Sequence, residues 1–158
     1  MTLGILKESG GELRVAVTPD AVPGLIKLGF QNIWVERGAG ENAFFDDASY
    51  EKQGAQVADR ETVLKQATVL VAIQAPDKAT LQKLSAGQVL IGQFNPLAQH
   101  QMVEDMLQAG VSAFSLDLAP RSTRAQALDV LSSMATVGGY KAVLTAANLL
   151  PTFFPMSM

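Results

Sequence analysis

The sequence predicts an α/β fold: a doubly wound, flavodoxin-like parallel sheet of about five strands in three layers, followed by a long C-terminal helix. Three observations carry this reading. Five short apolar runs, at residues 2–6, 32–36, 68–73, 89–92 and 111–115, alternate with segments of helical periodicity, and strands separated by helices of this size pair in parallel. The run TVLVAI at 68–73 is apolar almost throughout, as befits a strand buried on both faces. From residue 124 to 149 the pattern is helical, with no further strand after it.

The elements follow in order. TLGIL at 2–6 is a buried strand, closed by the charged, glycine-containing turn KESGGELR. In VAVTPDAVPGLIKLGF, Thr18 is placed to cap a helix, Pro19 suits its first position, and Val22, Leu25, Ile26 and Leu28 recur at helical spacing until Gly29. Pro23 shifts that start by up to a turn. NIWVE at 32–36 is strand again, and the loop RGAGENAFF leads to a short helix capped by Asp46 or Asp47 and stopped by Gly54. Asp59 caps a helix ending near Gln66. Helix 77–84, strand 89–92, helix 97–109 and strand 111–115 continue the alternation. The final helix is expected to be irregular at Gly138-Gly139 and to stop at Pro151. Its Tyr140, Val143, Leu144, Ala147 and Leu150 form one apolar stripe.

Composition narrows the chemistry. The chain has 158 residues, 48% hydrophobic and 17% charged, enough to bury a core and too apolar for disorder. Twelve basic residues against fifteen acidic ones give a net charge of −3 without a basic block, so no nucleic-acid partner is expected. With no Cys and one His, His100, there is no thiol nucleophile and no thiolate or multi-imidazole metal site; no metal is expected. The N-terminus is too polar after its short apolar run for a signal peptide and lacks the pattern of a transit peptide, which makes the cytoplasm the expected location. The last 17 residues hold two prolines and an asparagine, too broken a segment for direct membrane insertion.

Three motifs deserve weighing. Gly38-Ala39-Gly40-Glu41-Asn42-Ala43 matches G-x-G-x-x-A after a strand, but Phe44, Phe45, Asp46 and Asp47 follow where a phosphate site needs a helix N-terminus; it reads as an ordinary glycine loop. Lys7, Glu8, Glu12 and Arg14 form a charged turn in which Arg14 is a candidate carboxylate binder and a solvated charge cluster is the plainer alternative. The richest stretch is PRSTRAQALDVLSSMA. Here Gln126, Asp129 and Ser132 recur at steps of three on a helical face, with Arg121 on the preceding turn. A cationic fork, an amide, a carboxylate and a hydroxyl then point one way. The structural alternative stays open: Thr123 with Gln126 is a T-x-x-Q capping box, and Asp129 and Ser132 then face water.

These segments, KESGGELRVAVTPDAVPGLIKLGF, VERGAGENAFFDDASYEKQGAQV and above all PRSTRAQALDVLSSMATVGGYKAV, resemble the N-terminal region of the proton-translocating NAD(P) transhydrogenase alpha subunit, a family that shares its ancestry with alanine dehydrogenase. The resemblance covers essentially the whole chain. It implies a first subdomain of the NAD(H)-binding domain at residues 1–135 and, at 136–158, the start of a helix crossing to a Rossmann subdomain that the sequence does not contain. Alanine dehydrogenase carries a substrate-binding Lys and a catalytic His where this sequence reads Gln74-Ala75-Pro76 and Asn95-Pro96-Leu97-Ala98. Neither Gln nor Pro can titrate as a general base, and Arg14 alone matches the carboxylate-binding Arg of that enzyme.

Direct hydride transfer between two nicotinamide rings needs alignment and no acid or base. The resemblance places Arg121, Gln126 and Asp129 in the hydride-transfer site and Arg121, Asp129 and Ser132 against the nicotinamide and ribose end of NAD(H). It implies NADP(H) on a partner domain, the Rossmann subdomain, the NADP-binding domain and the membrane domain as partners, and a position on the cytoplasmic face of the inner membrane through them. By itself the chain is expected to be inactive and to hold no cofactor. Its apolar end, Tyr140, Val143, Leu144, Leu150, Phe153, Phe154, Met156 and Met158, implies a homo-oligomer. An alanine dehydrogenase-like N-terminal domain and a non-catalytic assembly fragment are the alternatives.

Overall fold

The computed structural model describes residues 1–120, 122–152 and 154. The chain forms two compact units, Met1–Leu118 and Ala119–Met158. In the first, six strands make one sheet: β1 Thr2–Ile5, β2 Asn32–Glu36, β3 Gln56–Ala58, β4 Val69–Val71, β5 Val89–Gly92 and β6 Ser112–Ser115. Every neighbouring pair is parallel and the order is β3-β2-β1-β4-β5-β6.

The five expected strands all form, and among themselves they take the flavodoxin order, with the second to one side of the first and the rest to the other. The strand count is corrected by β3, which adds an outer edge beyond β2 through Trp34↔Gln56 to Glu36↔Ala58. Its three residues are too few to show alternation, and only pairing with β2 defines them.

Helices α1 (Val22–Lys27), α2 (Asp47–Lys52), α3 (Arg60–Gln66), α4 (Lys78–Leu81) and α5 (His100–Ala109) fill the connections. Pro19 opens a 3₁₀ turn, so α1 starts a turn later than Thr18 implies, with Pro23 still inside its first turn. Asp46, Asp59 and Asp77 each accept the backbone N–H three residues on, at 2.9 Å, from Ser49, Thr62 and Thr80, the N-cap geometry expected of aspartate. Helix α5 starts three residues later than its expected position, at His100.

Side chains of successive strand residues enter two separate cores. Leu3, Ile5, Ile33, Val35 and Val69 pack with Val22 and Tyr50 on one face, whereas Leu6, Leu70, Ala72 and Leu90 pack with Val63, Leu64, Leu81, Phe94 and Met106 on the other. That is the three-layer arrangement, and it follows from period-two alternation in a sheet covered on both faces. Two buried polar groups are fully used. The Tyr50 hydroxyl donates to Val17 O at 2.9 Å, and the Gln88 side chain donates to Leu64 O and Ala67 O while accepting from Ser85 N.

In the second unit, a 3₁₀ segment, Thr123–Leu128, precedes α6, Val130–Leu149. The helix runs unbroken through Gly138-Gly139, correcting the expected irregularity; good helix formers on both sides outweigh roughly 1 kcal/mol per glycine. Leu150 is extended before Pro151 and ends it. No residue of α6 is buried. Phe153, Met156 and Met158 of the expected apolar end lie outside the described residues. Among the described residues no helix is long and apolar enough to cross a membrane.

Candidate functional site

Each unit carries one polar constellation. In the sheet unit it lies along the carboxyl ends of the strands, the edge at which open α/β sheets bind ligands. The strand order turns between β1 and β4, and the crevice there is lined by Leu6–Ser9, Arg60, Ala72 and Gln74–Pro76. Its volume is about 10 Å³, room for one water molecule. Glu8 fills it. The Glu8 carboxylate accepts the N–H of Ile73 at 2.5 Å and of Gln74 at 3.0 Å. Burial pushes its pKa up, against the pull of those two N–H groups.

Arg60 locks the neighbouring strand ends. Its Nε donates to both oxygens of Glu36 at 3.0 and 3.1 Å, Nη1 to Thr80 Oγ1 at 3.1 Å, and Nη2 to Lys7 O at 2.7 Å. Glu36 in turn accepts Lys7 N at 2.8 Å. At the end of β5, Asp117 accepts Phe94 N and Asn95 N, both at 3.1 Å, and the Ser115 hydroxyl. Sequence reasoning does not assign these roles to Glu8, Glu36, Arg60 and Asp117, because, apart from Ser115 beside Asp117, their partners are backbone groups or side chains 20 or more residues away that leave no local pattern.

Arg14 is tied to Glu12 by a bidentate pair, Nε to Oε1 at 2.9 Å and Nη2 to Oε2 at 2.7 Å. The guanidinium hydrogen bond holds the Glu12 carboxyl down at about 2. Gln74 and Asn95 lie beyond the ends of β4 and β5 with their N–H groups on Glu8 and Asp117. The GAGENA loop behaves as an ordinary loop: Glu41–Ala43 is a single 3₁₀ turn, and Phe44 follows in the left-handed region. A side chain at Gly40 would lie 2.7 Å from Phe45 O, so this glycine serves close packing. His100 is exposed at the start of α5.

In the second unit, Gln126 and Asp129 line a depression of about 200 Å³ together with Pro120, Ser122, Thr123 and Ala125. The three residues expected on one helical face occupy three settings instead: Gln126 in the 3₁₀ segment, Asp129 as the N-cap of α6, and Ser132 in its first turn. The Thr123 capping box does not form, since Ser122 precedes the 3₁₀ segment and no side chain caps it. The capping carboxylate is Asp129. Its Oδ1 accepts Ser132 N at 2.9 Å, its Oδ2 accepts the Ser132 hydroxyl at 2.7 Å, and its carbonyl accepts the Ser133 hydroxyl at 3.1 Å. The same D-x-x-S/T device caps α2, α3 and α4. It therefore accounts structurally for the Asp129–Ser132 contact, while Gln126 has no such explanation. Arg121 lies outside the described residues.

The comparisons with known proteins converge. The chain is 39% identical over 145 residues to the NAD(P) transhydrogenase subunit alpha of Cereibacter sphaeroides, covering 91% of this chain and 28% of that protein. A crystal structure of transhydrogenase from Sinorhizobium meliloti superposes with a TM-score of 0.92 at 37% identity, over 100% of this chain and 47% of that one. Alanine dehydrogenase of Halomonas elongata is 31% identical, over 95% of this chain and 40% of that protein. The chain thus spans less than half the length of the relatives it matches. The family model described as the alanine dehydrogenase/PNT N-terminal domain matches residues 4–138, and the chain belongs to that family.

Proposed function

We propose that the chain is the N-terminal subdomain of the NAD(H)-binding component of an NAD(P) transhydrogenase, working in hydride transfer between NADH and NADP⁺ coupled to proton translocation. The observation that carries this reading is the residue content of the two constellations. The sheet edge offers Gln74 and Pro96 where amino-acid oxidation needs groups that titrate, and Glu8 lines its crevice with its carboxylate on the Ile73 N–H. The second unit offers an amide and a carboxylate, Gln126 and Asp129, around an open depression, which suits orientation of a ring and requires no proton transfer. Identity to the transhydrogenase relative is also higher than to alanine dehydrogenase.

In this reading Gln126 and Asp129, with Arg121, align the nicotinamide, and Ser132 joins Arg121 and Asp129 at its ribose side. Residues 1–135 are the subdomain, and the region 136–158 begins with the crossing helix, which runs to Leu149. NAD(H) sits in the complete domain and NADP(H) on a partner domain, while this chain alone retains neither. The remaining partners are the Rossmann subdomain, the membrane domain and a second copy of the chain, with the assembly on the cytoplasmic face of the inner membrane.

The test is kinetic, in the longer protein that carries this chain. Asp129→Asn and Gln126→Ala are expected to slow the hydride step by about tenfold or more while the NADH dissociation constant moves by less than about threefold, as for contacts realised in the transition state. Stopped-flow transfer between NADH and NADP⁺ analogues measures the first and calorimetry the second. Unchanged kinetics would reduce Asp129 to a helix cap, and alanine-dependent reduction of NAD⁺ would move the protein to the other branch of its family.

A further inference from the structure

Backbone N–H groups at the carboxyl ends of parallel strands are where doubly wound sheets receive the anionic parts of their ligands. In this sheet those groups are taken. Glu8 holds the successive N–H groups of Ile73 and Gln74 beyond β4, and Asp117 accepts from the successive N–H groups of Phe94 and Asn95 beyond β5, sharing the Phe94 N–H with Ser115 Oγ. Glu36 holds Lys7 N beyond β1, and Asp47 holds Gly38 N beyond β2 at 2.9 Å. Two of the four carboxylates span a pair of adjacent amides, the arrangement a bound carboxylate or phosphate would itself adopt.

We propose that Glu8 and Asp117 are tethered internal anions that occupy two carboxylate sites and close this edge of the sheet to anionic ligands. The consequence is one of specificity: a negatively charged ligand of this protein is received elsewhere, because each latch would have to be displaced before a free anion could reach the amides. Glu8 sits in a crevice with space for about one water beside it, so a second anion cannot share the site. Burial raises the pKa of Glu8 and the two N–H groups oppose that rise, as donors that favour the ionised form do. The proposal stands apart from the transhydrogenase reading and does not depend on it.

The geometry sets up a chemical rescue. Glu8→Ala removes a methylene and a carboxylate, the equivalent of one acetate ion, and leaves two amides facing the gap; Asp117→Ala removes the equivalent of formate. In the full chain at neutral pH, the melting temperature of Glu8→Ala is expected to rise by about 5 °C between zero and 100 mM sodium acetate, relative to sodium chloride at equal ionic strength. The Ile73 and Gln74 amide resonances should shift with it. The wild type and Glu8→Gln, whose side chain still fills the gap, should show no acetate-specific response. A folded Glu8→Ala that is indifferent to acetate, or a wild type that responds equally, overturns the proposal. If Glu8→Ala does not fold in either salt, Asp117→Ala with formate carries the same comparison, and absence of a formate-specific rise there overturns it.

Discussion

A methyl group added at the end of strand β5 and one added in the middle of helix α6 would meet opposite fates. At Gly92, on the last residue of β5, a Cβ would lie 2.3 Å from Ala72 O and 2.3 Å from the Phe94 ring. At Gly138 and Gly139, in the middle of α6, it would meet nothing within 4 Å. The sheet unit packs its own residues into two cores, and carboxylates hold N–H groups beyond β1, β2, β4 and β5. Helix α6 has apolar side chains on most of its circumference and two glycines at its centre, yet buries none of its residues. Apolar character all round is the mark of a helix meant to be enclosed. One unit thus contains its own reasons for folding, and the sequence of the other is written for neighbours outside its own unit.

The comparison can be broken by substitution, and the largest effect belongs to the sheet. Gly92→Ala is expected to destabilise the chain by about 3 kcal/mol, the overpacking cost where backbone is one of the obstacles, measured as a drop in the urea midpoint. Arg60→Ala comes next, at about 2 kcal/mol, because it leaves the partly buried Glu36 carboxylate without its guanidinium and frees Lys7 O and Thr80 together. The same denaturation experiment reads it, and a loss below about 0.5 kcal/mol would show that the sheet edge does not rely on this hub.

In α6 the sign reverses. Gly139→Ala should stabilise the helix of this chain by about 1 kcal/mol through propensity alone, visible as a gain in thermal stability of the helical circular dichroism signal. Repeating it in the longer protein sharpens the contrast, since a loss there would mean that another element approaches the helix at that glycine.

The smallest effect tests the charged turn. Glu12 titrates at about 2 in the folded chain, pulled down from the ordinary carboxylate range by Arg14. A depressed folded value means stability that is present above the unfolded pKa, near 4.5, and lost as pH falls toward 2. Because the Arg14 side chain is half exposed, the contribution is less than about 1 kcal/mol. Glu12→Gln should flatten the acid limb of the stability profile between those two values. Glu8 has the opposite sign, since its raised pKa makes stability fall as pH rises through its folded value, so the two substitutions should tilt that limb in opposite directions.

Local signals made most of the sheet unit legible. The apolar runs gave β1, β2, β4, β5 and β6, and Asp59, with Asp46 or Asp47, announced their helices because an N-cap acts within three residues, while Asp77, expected as the first residue of its helix, is its cap. Strand β3 was hidden because three residues carry no period. Near the start of α6 the sequence offers a T-x-x-Q capping box at Thr123, but the cap forms six residues on at Asp129, whose carboxylate is a strong acceptor for backbone N–H. Gln126, Asp129 and Ser132 were found by spacing and resemblance, whereas the latches of Glu8 and Asp117 depend on strand ends 65 and 22 residues away and leave nothing in the sequence to read.

The position of β1 has a consequence in time. It precedes the other five strands of the sheet in the chain and lies inside that sheet, paired at Leu3 with Ile33 on one side and with Val69 on the other. At a synthesis rate of about 5–20 residues per second, the 66 residues between Leu3 and Val69 take roughly 3–13 s to appear. Throughout that interval one edge of the central strand of the nascent chain is bare, so the order of synthesis requires the middle of the sheet to wait for its flank.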